Sequence, residues 1–300
     1  MTTPADVRAQ ELSALPFRDS GTRQGFFRGT VASLRDIVRH RELLSHLVRR
    51  ELKSRYKDST LGFVWSLVRP LTMLLVYYVA LGQFLGAARG TPQFAIFIYC
   101  GITAWTLFSE VLSSSTVSVV QNAGLIKKVY VPREVFPLAA VGSAGFNFLV
   151  QLVILLGATV VAQQVPGGTR WMYLPLSVAV LLTFSTALGL LLSAANVYLR
   201  DVQYLVEVAL TLLFWASPIV YPWRLVQDNV GPLVEQLYLT NPITLAVLGF
   251  QQTFWVAGDG QPVPPDLTAR LGVVLAVGLV LLWVGQRAFA RLQGNFAQEL

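Results

Sequence analysis

Arg50, Lys53, Arg55 and Lys57 crowd the short stretch that precedes the first long apolar run of this chain. Cations grouped in this way pair with phosphate oxygens, and a pyrophosphate-linked lipid would present its charge at that depth. Retention of positive charge on one side of a membrane explains them as economically. Two carboxylates fall inside apolar runs. Glu110 lies mid-run, where a carboxylate costs about 2.5–3.5 kcal/mol on insertion scales. It must face protein or water, or carry a proton. A proton or cation site is one reading; an interhelical hydrogen bond is the plainer one, because no basic partner stands at its depth. Glu207 lies nearer the end of its run, within reach of water. Asn147 and Gln151 are four residues apart, share one helical face, and read as glue between helices.

The residues of enzyme chemistry are sparse. Cys100 is the one cysteine and lies inside an apolar run, while His40 and His46 both precede the first one. That excludes a disulfide framework and disfavours a metal site. No G-x-x-x-x-G-K-[ST], H-E-x-x-H or G-x-S-x-G occurs, so no phosphate-binding loop, zincin or hydrolase elbow of those types is expected. The reading is a chain with no catalytic or metal residues and no cofactor of its own. Energy for any work comes from elsewhere.

The elements that must position these residues are membrane spans. The chain is 54% hydrophobic and 13% charged, against about 25% charged in soluble domains. Windows long enough for a span of about 20 residues are Val64–Leu85, Phe94–Val120, Leu138–Val161, Tyr173–Ala195, Val202–Tyr221 and Leu271–Ala288. The expected fold is an all-α polytopic membrane protein with six transmembrane helices. Of 23 Lys and Arg residues, only Arg89, Arg170, Arg224 and Arg270 fall on one side. The positive-inside rule places both termini in the cytoplasm. Basic residues that abut spans point to anionic membrane lipids as their partners, not to nucleic acid. The first residues are polar, mixed in charge and without the apolar core of a signal peptide, so 1–30 reads as a mobile cytoplasmic tail, 31–58 as an interface helix and 59–300 as the transmembrane domain.

In that helix, Leu34, Ile37, Val38, Leu44, Leu47, Val48 and Leu52 recur at three- and four-residue steps, with arginines elsewhere around it. It suits an interfacial position, apolar face in the acyl chains, either as an anchor or as a gate. The loop QNAGLIKKVYVPREVFP exposes Leu125 and Ile126 beside Lys127 and Lys128, a plausible partner contact. Leu233–Val256 is too apolar for a plain loop. It reads as two short helices dipping into the membrane and broken at Asn241–Pro242, with a seventh span as the alternative. Trp65, Trp171, Tyr221 and Trp223 suit interfacial belts. Tyr77, Tyr78, Phe84, Tyr99, Trp105, Phe108, Phe214 and Trp215 lie deeper. As a set these aromatics suit a path for an amphipathic polymer better than an ion path; singly, each suits packing or lipid contact.

Five fragments occur in order: RELKSRYKDSTLGFVWSLVRP from Arg50, NAGLIKKVYVPREVFP from Asn122, NVYLRD from Asn196, SPIVYP from Ser217 and NP at Asn241. Together they resemble the permease subunit of polysaccharide-exporting ABC transporters of the ABC-2 type, which move O-antigen, teichoic acid or capsule chains. The resemblance covers about residues 35–300, and the tail FARLQGNFAQEL fits it. It implies a homodimer served by two separate ATP-binding cassette subunits that bind ATP and Mg, and a lipid-linked polysaccharide passing between the permeases. It assigns Leu125, Ile126, Lys127, Lys128, Arg133, Arg200 and Asp201 to ATPase coupling. Tyr77, Tyr78, Phe84, Phe214, Trp215 and Tyr221 become glycan contacts. Arg50, Lys53, Arg55 and Lys57 receive the lipid phosphate. Tyr238, Asn241, Pro242, Phe250 and Trp255 form an outer gate. A permease for another amphipathic substrate (a lipid or drug) and a membrane-embedded glycan-modifying enzyme are the alternatives.

Overall fold

The computed structural model describes residues 35–56, 64–128 and 131–300. The tail at 1–30, the start of the interface helix and the whole KDSTLG stretch, Lys57 included, lie outside the described residues. Helix α1 spans Arg41–Tyr56, α2 Val64–Tyr77, α3 Phe94–Gln121, α4 Ala123–Ile126, α5 Val135–Val161, α6 Tyr173–Tyr198, α7 Val202–Trp215, α8 Trp223–Asn229, α9 Pro232–Tyr238, α10 Pro242–Phe254, α11 Leu267–Leu292 and α12 Phe296–Glu299. α2 continues as a π-helix over Tyr78–Phe84, and Pro70 inside it removes one backbone donor.

Among the described residues, five helical stretches are long and apolar enough to cross a membrane: Leu67–Phe84, Phe94–Gln121, Val135–Val161, Gly168–Tyr198 and Leu267–Asn295. Of the fifth expected span, Val202–Tyr221, only the first part is helical. Its helix stops at Trp215 after 14 residues, about 21 Å of rise against a core of about 30 Å. Turns over 216–220 follow, where Pro218 cannot extend the helical hydrogen bonding.

α3 and α6 form the centre. α5 lies against α3, α11 against α6, and α10 reaches both central helices from one end. Their contact depends on small residues, as close helix approach in lipid requires. A Cβ on Gly189 of α6 would stand 2.7 Å from Ser115 Cβ on α3, and one on Gly285 of α11 would stand 2.8 Å from the Ala187 carbonyl oxygen. Several hydroxyls of α3 are satisfied within the helix, Thr103 donating to Tyr99 O at 2.7 Å and Thr116 to Leu112 O at 2.8 Å, while Ser115 donates to Pro137 O on α5 at 3.3 Å. That arrangement lets a polar-dotted helix sit in an apolar interior.

A second apolar cluster closes the end that carries α1 and the C-terminus. Leu47, Val119, Ile126, Val135, Phe136, Phe289 and Phe296 meet there, with Leu43, Leu44 and Val48 packed against them. Protein therefore covers part of the apolar face of α1, α5 above all: Leu47 is buried, while Leu43, Leu44, Val48 and Leu52 are half-buried. Period reports that a face is buried; it is silent on the material that buries it.

Candidate translocation and coupling surfaces

The α3–α5 connection is a tight elbow. Asn122 ends α3 and starts α4, and its Nδ2 donates to Ser118 O at 2.8 Å. Lys127 and Lys128 are exposed and Leu125 is half-buried, but Ile126 is buried at 8% exposure. The expectation that Leu125 and Ile126 are exposed together is thus corrected: four-residue α4 turns Ile126 into the second cluster. Arg133 also turns inward, its guanidinium 5.7 Å from the Phe296 ring centroid, a cation–π distance. Beside it, Gln286 donates to Glu134 at 3.0 Å and Arg287 to Gln286 at 2.7 Å. Arg200 and Asp201 are exposed at the α6–α7 turn, and Asp201 makes no side-chain cap. Asn196 accepts from Gln203 N at 3.3 Å there instead.

Of the four grouped cations, Arg50 donates to Asn122 Oδ1 and Lys53 is exposed. The Arg55 side chain lies outside the described residues, as Lys57 does. Arg50 also borders an open cavity of about 410 Å³ between α1, α3 and α5, polar on most sides.

The aromatics divide. Tyr99, Trp105, Phe108 and Phe214 are buried in the protein core. Phe214 stacks on Tyr77 at 5.8 Å and meets Trp105 edge-on at 5.4 Å, tying α7, α2 and α3 together. Phe84 and Trp215 are exposed, and Tyr77, Tyr78 and Tyr221 are half-buried. The residues expected as one glycan-contact set are therefore not one surface: Phe84 and Trp215 face outward and Phe214 faces in.

At the opposite end, Asn241 caps α10, accepting from Ile243 N at 3.0 Å, with Pro242 at its first position. Asn and Pro suit those two places. The same Asn241 donates to Ser217 Oγ at 3.1 Å, and Gln251 donates to Pro218 O at 2.9 Å, so α10 is pinned to the turns after α7. The Tyr221 and Tyr238 hydroxyls pair at 3.0 Å. Burial pushes the Tyr238 phenol above the ordinary tyrosine range. Phe250 and Trp255 are buried, and Trp255 donates to Pro92 O at 2.7 Å. Arg170 forms an ion pair with Asp259. Between the two ends, Asn147 donates to Glu110 at 2.7 Å, the interhelical bond that the sequence favoured. Among the described residues, no group of three His, Cys, Asp or Glu side chains converges as a metal site would need.

The profile of the ABC-2 type transporter family matches residues 42–255. The chain belongs to that family. Among its relatives, the O-antigen export system permease protein RfbA of Myxococcus xanthus is 31% identical over 269 residues, 89% of this chain and 98% of the relative. An RfbA of Klebsiella pneumoniae is 25% identical over 260 residues, 86% and 95% of the two chains. The polysialic acid transport protein KpsM of Escherichia coli is 22% identical over 177 residues, 58% and 67%. The matched ABC-2 region runs from α1 to the end of α10. It contains the elbow, the cavity and the pinned α10. Sequence reasoning missed the cavity and the Arg133–Phe296 contact, because both join residues far apart in the chain. The one available signal was the i, i+4 pair Ser114 and Ser118, polar on a face of a span.

Proposed function

We propose that this chain is the membrane-spanning subunit of an ATP-driven exporter of lipid-linked polysaccharide. Two copies form the conduit, and two separate ATPase subunits, which bind ATP and Mg, dock on the elbow end. The reading is carried by kinship to an O-antigen export permease over nearly the whole of both chains. The exposed pair Lys127–Lys128 with half-buried Leu125 supplies a docking knob, and Arg200–Asp201 a second contact on the same side. The knob stands on the second apolar cluster, which includes residues of α1, α3, α5, α6 and α11. A push on the elbow is therefore shared among four of the long helices. In this reading the elbow end is cytoplasmic, in keeping with the charge count, and the membrane is the cytoplasmic one. The pinned α8–α10 segment dips in from outside as the outer gate, and the short α7 completes a sixth crossing with the turns that follow it. Tyr77, Tyr78 and Trp215, on α2 and α7, face the conduit.

Because Ile126 is buried and Leu125 half-buried, the test alters only outward groups. Lys127→Glu with Lys128→Glu leaves the chain folded and at wild-type level in the membrane, while the co-purifying ATPase and polymer export are both lost. Recovery of an equal-stoichiometry ATPase with the wild-type chain is the first measurement. Wild-type export by the double variant removes the elbow from the docking site.

A further inference from the structure

The cavity at the basic end has a composition that a phosphate site does not explain. Its lining includes Arg50, Glu51, Ser54, Ser114, Ser118 and Asn122, with Phe136 among the apolar members. A phosphate oxygen cluster calls for converging cations or backbone N–H groups. Among the described residues, the lining holds one cation, Arg50, with Glu51 beside it in the sequence and Asn122 already accepting its hydrogen bond. The remaining polar lining is hydroxyl and amide, groups that both donate and accept. The volume of about 410 Å³ lies within the range of about 300–1,000 Å³ typical of small-molecule sites.

Neutral, two-way hydrogen bonding beside an aromatic ring suits a polyhydroxyl group. We infer that this cavity is a carbohydrate subsite, which takes a neutral sugar residue of the exported glycan on the elbow side of the membrane. The inference rests on the export reading above. It separates the two parts of a lipid-linked substrate: sugar within the cavity, phosphate outside it near exposed Lys53. It also puts the sugar against the elbow. Asn122 lines the cavity, ends α3 and begins α4. A sugar that competes for Arg50 or Asn122 alters the turn that presents Lys127 and Lys128.

The chain offers a clean probe, because its one cysteine, Cys100, is fully buried. Ser54→Cys places a thiol at the cavity, and Ser45→Cys places one on an exposed part of the same helix that does not line it. Each full-length variant, co-purified with its ATPase in lipid nanodiscs, is labelled with a maleimide and read on this chain's own band. Oligosaccharide released by mild acid from the source membranes, and inorganic pyrophosphate, are the two probes. At ten times its Kd the oligosaccharide leaves about one site in eleven free, so labelling of Ser54→Cys slows about tenfold, that of Ser45→Cys is unchanged, and pyrophosphate protects neither. Protection by pyrophosphate alone makes the cavity a phosphate site and overturns the inference. Protection by neither probe, in a complex whose ATP hydrolysis the lipid-linked glycan still stimulates, overturns the subsite and leaves the export reading standing. Unchanged surface polysaccharide in cells lacking the chain overturns the export reading itself.

Discussion

Helices α2 and α3 follow one another and are both apolar enough to cross a membrane, yet their surroundings are opposite. Within the structure, 78% of the most apolar α3 window is buried and only 11% of the corresponding window ending α2. Hydropathy alone does not separate them. The difference lies in the small and hydroxyl residues. α3 carries Gly101, Thr103, Ser115 and Thr116, all buried, which admit close neighbours and have their hydroxyls bonded to carbonyls of α3 or α5. α2 presents Leu71, Leu75 and Val76 outward. In lipid, bulky apolar surface gains little by meeting another helix, because acyl chains are as apolar as leucine. Small residues mark where helices meet, and bulky ones leave a face open to lipid or to a second copy.

The two loosely covered helices, α2 and α7, are tied to the core through Tyr77, Phe214 and Trp105. Breaking that tie should give the largest effect. Phe214→Ala removes a buried ring, a change that costs about 3–5 kcal/mol in protein cores. Denaturant titration in mixed micelles measures it. A loss no greater than that from altering exposed Leu75 would mean that α2 and α7 are held by something else.

Next in size is the α3–α6 contact. Gly189→Leu drives a side chain into Ser115 and costs about 1–3 kcal/mol by overpacking. Gly272→Leu, where an added Cβ meets open space, should leave the midpoint unchanged. Equal effects would dissolve the contrast between core and periphery. The Glu110–Asn147 bond tests the same contrast with polar groups. Asn147→Leu strips the half-buried Glu110 acceptor of one donor, for about 1 kcal/mol. Glu110→Gln, which keeps an acceptor, should cost less. Identical losses in the two variants would point to charge, not the hydrogen bond, as what matters at position 110.

How much of this was readable in the chain follows the same physics. Spans one, two, three, four and six were legible to within several residues, since each is a largely apolar run. The break at Asn241–Pro242 was legible because Asn caps and Pro starts helices. The early end of α7 was not, since Val202–Tyr221 stays predominantly apolar to its end and only Ser217–Pro218 hints at the stop. Ile126 was misread because a four-residue helix has no period to read. Phe214 and Trp215 could not be told apart at all: adjacent aromatics carry no sign of which one faces inward until α2 and α3 are in place.

That adjacent pair supplies the smallest structural effect and the sharpest functional one. Phe214 is 6% exposed and Trp215 is 54% exposed. Trp215→Ala should alter stability by no more than about 0.5 kcal/mol, as surface changes do. If α7 faces a conduit, polymer export falls in the same variant while the chain and its ATPase still assemble. Trp215→Phe, which keeps an aromatic face, should restore most of the export. Export at the wild-type level in Trp215→Ala and in Tyr78→Ala would place the open faces of α2 and α7 against lipid, and the path of the glycan would then have to be sought along another helix.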